Sequence, residues 1–204
     1  MDGVLLDSLY YKALSFVEAL KKYEIEAKIE DIIKYMGMSR WDIGKALIEK
    51  FNLETPLEEF VEIRMEILQK LRKNINYAPC AKEILRFLRS KGKILILATS
   101  SNKSSLYEEI PQLIEYFHRI ITSDDVKNSK PDPEIYEKAV EGFNKYESIV
   151  IEDSPYGIMA AKRAGLKCIG VLGKHRSPED LKSVGADYIV KDLCKLYEII
   201  KKEL

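Results

Sequence analysis

The chain is 204 residues long with a mass of 23.5 kDa, room for one domain or one domain carrying a modest insertion. Its residues are 46% hydrophobic, and 33 basic side chains cancel 33 acidic ones, which excludes general disorder and gives no footing to an electrostatically driven nucleic-acid or membrane-surface binder. With no apolar run near the roughly 20 residues a bilayer crossing needs, and no basic-then-apolar order of a signal peptide, a soluble cytoplasmic protein is expected.

From Ser8 to about Asn74 the pattern is helical. Leu9, Ala13, Phe16, Val17 and Leu20 recur at three- and four-residue spacing, as one buried helix face requires. Further helical patterns cover Ile29–Tyr35, Trp41–Phe51 and Pro56–Leu71, broken at Gly37-Met38-Ser39 and at Asn52-Leu53-Glu54-Thr55. From Tyr77 onward the texture alternates. Apolar runs at Ile94–Ala98, Ile149–Ile151, Cys168–Leu172 and Tyr188–Val190, with Ile120-Ile121 as a shorter strand, are separated by amphipathic stretches such as Ala81–Arg89, Pro133–Glu141 and Tyr156–Ala164. That alternation predicts an α/β fold with a parallel sheet covered on both faces. The three cysteines, Cys80, Cys168 and Cys194, lack CxxC spacing, so neither a disulfide framework nor a zinc site is expected.

In parallel sheets the ligand sits beyond the carboxyl ends of the strands, which directs attention to four segments. They are Met1-Asp2-Gly3-Val4-Leu5-Leu6-Asp7-Ser8, Thr99-Ser100-Ser101-Asn102, Lys130-Pro131-Asp132-Pro133 and Glu152-Asp153-Ser154-Pro155-Tyr156-Gly157. Each has an ordinary reading: Asp7 or Ser8 as a helix N-cap, Thr-Ser-Ser-Asn as loop and cap chemistry, Lys130 as a solvated surface residue, and Glu152-Asp153 as an acidic first turn. Together they are chemically coherent. Adjacent carboxylates facing a third repel unless a cation sits among them, and an all-oxygen set suits Mg²⁺. A hydroxyl, loop N–H groups and one Lys supply the directional donors and compact charge that hold a phosphoryl group. Asp2 adds a proton donor and acceptor.

In this order the four segments resemble the haloacid dehalogenase-like superfamily of phosphatases and phosphomutases. Tyr136 follows Lys-Pro-Asp-Pro as it does there, and the helical stretch resembles the small cap of the phosphoglycolate phosphatase and β-phosphoglucomutase group. Tyr77-Ala78-Pro79, leading back into the core, fits that group too. The resemblance implies a Rossmann-like core of residues 1–7 and 75–204 with an α-helical cap over 8–74. It further implies a Mg²⁺-dependent phosphatase acting on a small phosphorylated metabolite. Asp2 would be the general acid/base, its backbone carbonyl on Mg²⁺. Thr99 and the Ser100 N–H would hold the phosphoryl group, Lys130 would stabilise its charge, and Glu152 and Asp153 would hold the metal. Gly37-Met38-Ser39-Arg40 matches the loop reaching over the active site, so Arg40 would contact the substrate's phosphate or carboxylate end.

One departure concerns the attacking group. The family motif is Asp-x-Asp-Gly on an apolar strand, the first Asp forming an aspartyl-phosphate, and Met1 stands at the x position. The expectation is that an internal Met has been taken as the start and that the native protein carries the strand and its Asp. A fragment lacking activity, and Asp7 as a substitute nucleophile, are the alternatives. A second departure is Tyr10-Tyr11-Lys12 where mutases of this group carry a His, which favours hydrolysis over phosphate relay. Gly3 after Asp2 argues against dehalogenation. A signalling receiver domain would place its acidic pair at the first strand and has no room for the helical insertion. Neither GxxxxGK[ST] nor GxGxxG occurs. A binding protein on the same scaffold is the non-enzymatic alternative.

Overall fold

The computed structural model describes residues 1–204. Four helices come first: α1 (Leu9–Lys21), α2 (Ile29–Ile33), α3 (Arg40–Phe51) and α4 (Leu57–Leu71). Their apolar faces meet in one cluster that includes Ala13, Phe16, Leu20, Ile32, Ile43, Leu47 and Phe60, all buried. The Phe16 and Phe60 rings lie 6.3 Å apart at its centre, and burying each contributes roughly 1.5–3 kcal/mol. The breaks have local causes. Ser39 caps α3 by accepting from the Asp42 N–H at 3.2 Å, and Asn52 ends that helix in the left-handed conformation (φ 50°).

The remainder alternates as expected: α5 (Ala81–Ser90), β1 (Ile96–Ala98), α6 (Lys103–Glu109), β2 (Arg119–Ile121), α7 (Glu134–Val140), β3 (Ile149–Glu152), α8 (Pro155–Arg163), β4 (Lys167–Val171), α9 (Pro178–Lys182), β5 (Tyr188–Val190) and α10 (Leu193–Glu203). All pairing among the five strands is parallel. β1 pairs with β2, and β4 lies between β3 and β5, with Ile151 opposite Ile169 and Gly170 opposite Ile189. Side chains alternate faces along each strand. Leu97, Val171 and Val190, with Ile151 and Ile169 beside them, join Val4, Leu5, Leu6, Ile84, Leu193 and Leu196 in one cluster. Val150 and Cys168 join Ile135, Ile158, Ala161 and Leu181 in another. Both faces are therefore covered, the Rossmann-like arrangement that the near-continuous apolar runs predicted. No helix is long and apolar enough to cross a membrane.

Helices α6, α9 and α10 were not expected. α6 is short and polar, α9 spans only five residues, and α10 buries Leu193 and Leu196 along one edge of an otherwise charged helix. The first segment is a turn rather than a strand end: the Leu5 N–H bonds back to the Met1 carbonyl at 2.8 Å, and Gly3 donates to the Leu6 carbonyl at 2.9 Å. The two chain crossings between the helical region and the sheets hold each other, through Asp7 N–H to Asn76 O and Ala78 N–H to Leu5 O, both at 2.9 Å.

The cysteine expectation is corrected. Cys80, just ahead of α5, and Cys194, in the first turn of α10, form a disulfide across 114 residues of chain. No local spacing signals such a bond, because the two helix starts meet only once both have packed on the sheet. Cys168 alone is free, and buried.

Candidate active site

The expected residues arrive from four places and meet in one cleft. β1 runs out into Thr99-Ser100-Ser101, β3 into Glu152-Asp153-Ser154, Lys130 lies in the loop ahead of α7, and Asp2 sits on the first turn. Asp2, Arg40, Thr99, Ser100, Lys130, Glu152 and Asp153 all line one solvent-open cleft. The sheet side supplies all but Arg40, which is the first residue of α3.

Asp2 is held by three donors. Ser8 Oγ donates to Oδ1 at 2.5 Å, Ser101 Oγ to Oδ2 at 3.2 Å, and the Lys12 ammonium lies 2.7 Å from Oδ1. Burial alone would raise the Asp2 pKa, but the Lys12 ammonium, with the Ser8 hydroxyl, outweighs it and holds the carboxyl well below the usual carboxylate range. Asp2 is thus an ionised acceptor. These contacts correct the capping expectation: Ser8 gives α1 no side-chain cap, and Asp7 pairs with Lys174 at 2.5 Å.

Lys130 is 5% exposed, not solvated. Its ammonium lies 2.5 Å from Glu152 Oε1 and 3.1 Å from the Tyr136 hydroxyl, which itself donates to Glu152 Oε1 at 2.5 Å. The other Glu152 oxygen accepts from the backbone N–H groups of Asp153 and Ser154 and from Ser154 Oγ. Burial pushes Glu152 up, and the Lys130 ammonium, with the Tyr136 hydroxyl, pulls it down further, to about 2. Thr99 is buried, and its Oγ1 accepts from the Ser101 N–H at 3.1 Å. Ser100 Oγ donates to the Gly37 carbonyl of the helical region at 3.0 Å.

Asp153 differs from its neighbours. Its side chain is buried and Oδ2 has no hydrogen-bond partner. Burial and the adjacent Glu152 carboxylate push its pKa up to about 7. Gly3, at φ +67°, lies so close that a Cβ there would fall 2.1 Å from Asp153 Oδ2, so the first turn passes the carboxylate only as glycine. A buried carboxylate oxygen without a donor is what a divalent cation would complete. The side chains of Asp2, Glu152 and Asp153 do not gather into a three-carboxylate cage. Asp2 is turned to Lys12 and Glu152 to Lys130, which leaves Asp153 as the side chain with free capacity.

The helical region closes over this floor. Arg176 Nη2 donates to the Met36 carbonyl at 3.0 Å, and Gly37, at φ +115°, would place a Cβ 2.4 Å from Ser154 Oγ. Three residues in the cleft were missed from the sequence: Lys12 of α1, Arg64 of α4 and Glu109 of α6. Lys12 also pairs with Glu109, at 2.9 Å. A signal existed for Lys12 and Arg64, since each interrupts the apolar face of its helix.

The haloacid dehalogenase-like hydrolase family model matches residues 1–171. The phosphorylated carbohydrates phosphatase of Thermotoga maritima is 33% identical over 200 residues, covering 94% of this chain and 91% of that protein. Pyrophosphatase PpaX of Oceanobacillus iheyensis is 24% identical, covering 98% and 94%. Among solved structures, a hydrolase from Pseudomonas syringae superposes with a TM-score of 0.89 at 26% identity, covering 98% of this chain and 95% of that one. The chain belongs to the haloacid dehalogenase-like hydrolases.

Proposed function

We propose that the chain is a Mg²⁺-dependent phosphatase of small phosphorylated metabolites that works through an aspartyl-phosphate. The observation that carries the reading is the convergence of Lys130, Thr99, Ser100 and Asp2 on one cleft beside the buried, unpartnered Asp153 oxygen. The name of the Thermotoga maritima relative, a phosphatase of phosphorylated carbohydrates, supports it. Lys130, fixed by Glu152 and Tyr136, presents its charge to the phosphoryl oxygens. The Thr99 hydroxyl and the Ser100 N–H orient them. As the aspartyl-phosphate forms, the ester P–O bond breaks and Asp2 gives a proton to the departing oxygen; Asp2, ionised by that transfer, then takes a proton from the water that cleaves the aspartyl-phosphate and releases inorganic phosphate. Asp153, with the Asp2 carbonyl and Glu152 nearby, would hold the magnesium ion, whose charge neutralises the phosphoryl oxygens.

In this reading the group attacking phosphorus is an aspartate one position ahead of Met1, on a strand between β1 and β3. Its support is that β1 and β3 each pair on one side only, while Met1 packs on the cluster holding Leu97 and Ile151. Residues 8–74 form a cap that closes over the cleft and limits water, swinging on Asp7–Ser8 and Asn74–Pro79. Lys12, occupied with Asp2 and Glu109, gives no imidazole for a phosphate relay, which favours hydrolysis over mutase chemistry. The reading retains the cytoplasmic setting expected from the sequence. The Cys80–Cys194 bond is the observation that stands against that setting, since disulfides persist mainly in oxidising compartments or in thermophiles. The test is hydrolysis of 4-nitrophenyl phosphate by the chain carrying the upstream strand. Activity that requires Mg²⁺ and is lost in Asp153→Asn supports the proposal, and activity indifferent to both sinks it.

A further inference from the structure

Four cationic side chains line the cleft: the protein pairs two, and of the two without an ion pair, Arg40 and Arg64, only Arg64 is deeply buried. Lys12 is taken by Asp2 and Glu109, and Lys130 by Glu152. Arg64 is 5% exposed, forms no ion pair, and keeps its Nε buried without a hydrogen-bond partner. Its one recorded bond runs from Nη1 to the Met65 sulfur at 3.1 Å, a weak acceptor. The guanidinium carbon lies 4.5 Å from the centre of the Phe16 ring. A ring contact offers the cation no hydrogen-bond acceptor, so its N–H groups need a partner elsewhere.

Arg64 stands where a helix would ordinarily place an aliphatic residue. Phe60, Val61, Arg64 and Leu68 are the buried positions of α4, and a charge in that stripe is costly unless something pairs with it. Phe16, Met65 and Leu68 line the cleft with it. The residues assigned to the ester phosphate come from the sheet side, whereas Arg64 comes from α4, in the helical region.

We propose that Arg64 binds a second anionic group of the substrate, so that the substrate class is a phosphate monoester carrying a further carboxylate or phosphate at its other end. The guanidinium fork matches either group in bidentate fashion. The apolar neighbours suit the carbon skeleton between the two charges, and a weakly polar wall strengthens the pairing. This inference rests on the reading of the sheet side as the phosphate-ester site.

The test is calorimetric binding, in Mg²⁺, of three compounds sharing a four-carbon skeleton: butyl phosphate, the phosphate ester of γ-hydroxybutyrate, and butanediol bisphosphate. At least one of the doubly anionic compounds binds the unaltered protein tighter than butyl phosphate, by about tenfold to a hundredfold for one charge-assisted pair. The larger gain tells carboxylate from phosphate. In Arg64→Met the preference vanishes while butyl phosphate binds as before, and Arg64→Lys keeps part of it. The ligand-free melting temperature of Arg64→Met is no lower than that of the parent, an outcome a purely structural arginine would not give. Preference surviving in Arg64→Met, or no preference in the parent while butyl phosphate binds, overturns this inference alone. Failure of all three compounds to bind overturns it together with the phosphatase reading.

Discussion

Replacing Asp153 by Asn removes a carboxylate that the fold holds at a disadvantage. In the folded protein without metal, burial and Glu152 raise the Asp153 pKa from its ordinary 3.8 to about 7. Between those values the native state holds a proton that the unfolded chain has released, so stability falls as pH rises through that window. At about 1.4 kcal/mol per unit, the loss reaches at most about 4 kcal/mol once the pH exceeds 7. Glu152 acts in the opposite sense. Its pKa is depressed to about 2, so the stability it contributes is lost only as pH falls below its ordinary range, and it is the same in parent and mutant above that. Asp153→Asn should therefore match the parent near pH 4 and exceed it by up to about 4 kcal/mol at pH 8. The assay is urea unfolding in EDTA across that range, read as the difference in midpoint between the two proteins, in which the histidines cancel. Mg²⁺ should restore the parent, by about 2.7 kcal/mol at a hundredfold excess over its dissociation constant, and leave the mutant unmoved. A mutant less stable than the parent at every pH, or a difference independent of pH, would refute the assignment of Asp153 as a strained carboxylate awaiting a cation.

Three further outcomes are expected. Lys130→Met leaves Glu152 buried without its cation and should cost about 3–5 kcal/mol; pairing it with Glu152→Gln should recover much of that in a double-mutant cycle, and simple additivity would argue against the pair as a unit. Gly37→Ala, at φ +115° with its Cβ directed into Ser154, should cost about 1–3 kcal/mol and expose the 36–40 loop to protease, whereas unchanged proteolysis would mean the loop does not abut Ser154. Breaking the Cys80–Cys194 bond, which closes a long loop, should lower stability by about 4 kcal/mol while leaving phosphate binding intact, since neither cysteine lines the cleft.

How much of this could be read from the sequence follows from where each signal lives. The helices of residues 9–71 and all five strands were legible because Phe16, Ile43 and Phe60 repeat at helical spacing, while Val150, Cys168 and Ile189 sit in short unbroken apolar runs. The cleft was legible because Thr99, Glu152 and Asp153 lie at the ends of recognised strands, and Asp2 and Lys130 stand in short motifs with them. What escaped depends on long-range packing. Lys12 and Arg64 occupy buried helix faces where pattern reading expects apolar residues, and only the cleft that α1 and α4 share with the strand-end loops gives them a purpose. The Cys80–Cys194 bond needs two helix starts to meet. The Ser8 hydroxyl does not cap the helix it precedes but donates to Asp2, six residues back in sequence yet 2.5 Å away.

The central claim is that the cleft binds a phosphoryl group with the help of a cation at Asp153. Its most direct test is calorimetric titration of inorganic phosphate into the unaltered chain, with Mg²⁺ and with EDTA, beside Asp153→Asn and Lys130→Met. The account expects binding that depends on Mg²⁺, that loses this dependence in Asp153→Asn, and that is largely abolished in Lys130→Met. Equal affinity in Mg²⁺ and EDTA, or binding untouched by both substitutions, would contradict it.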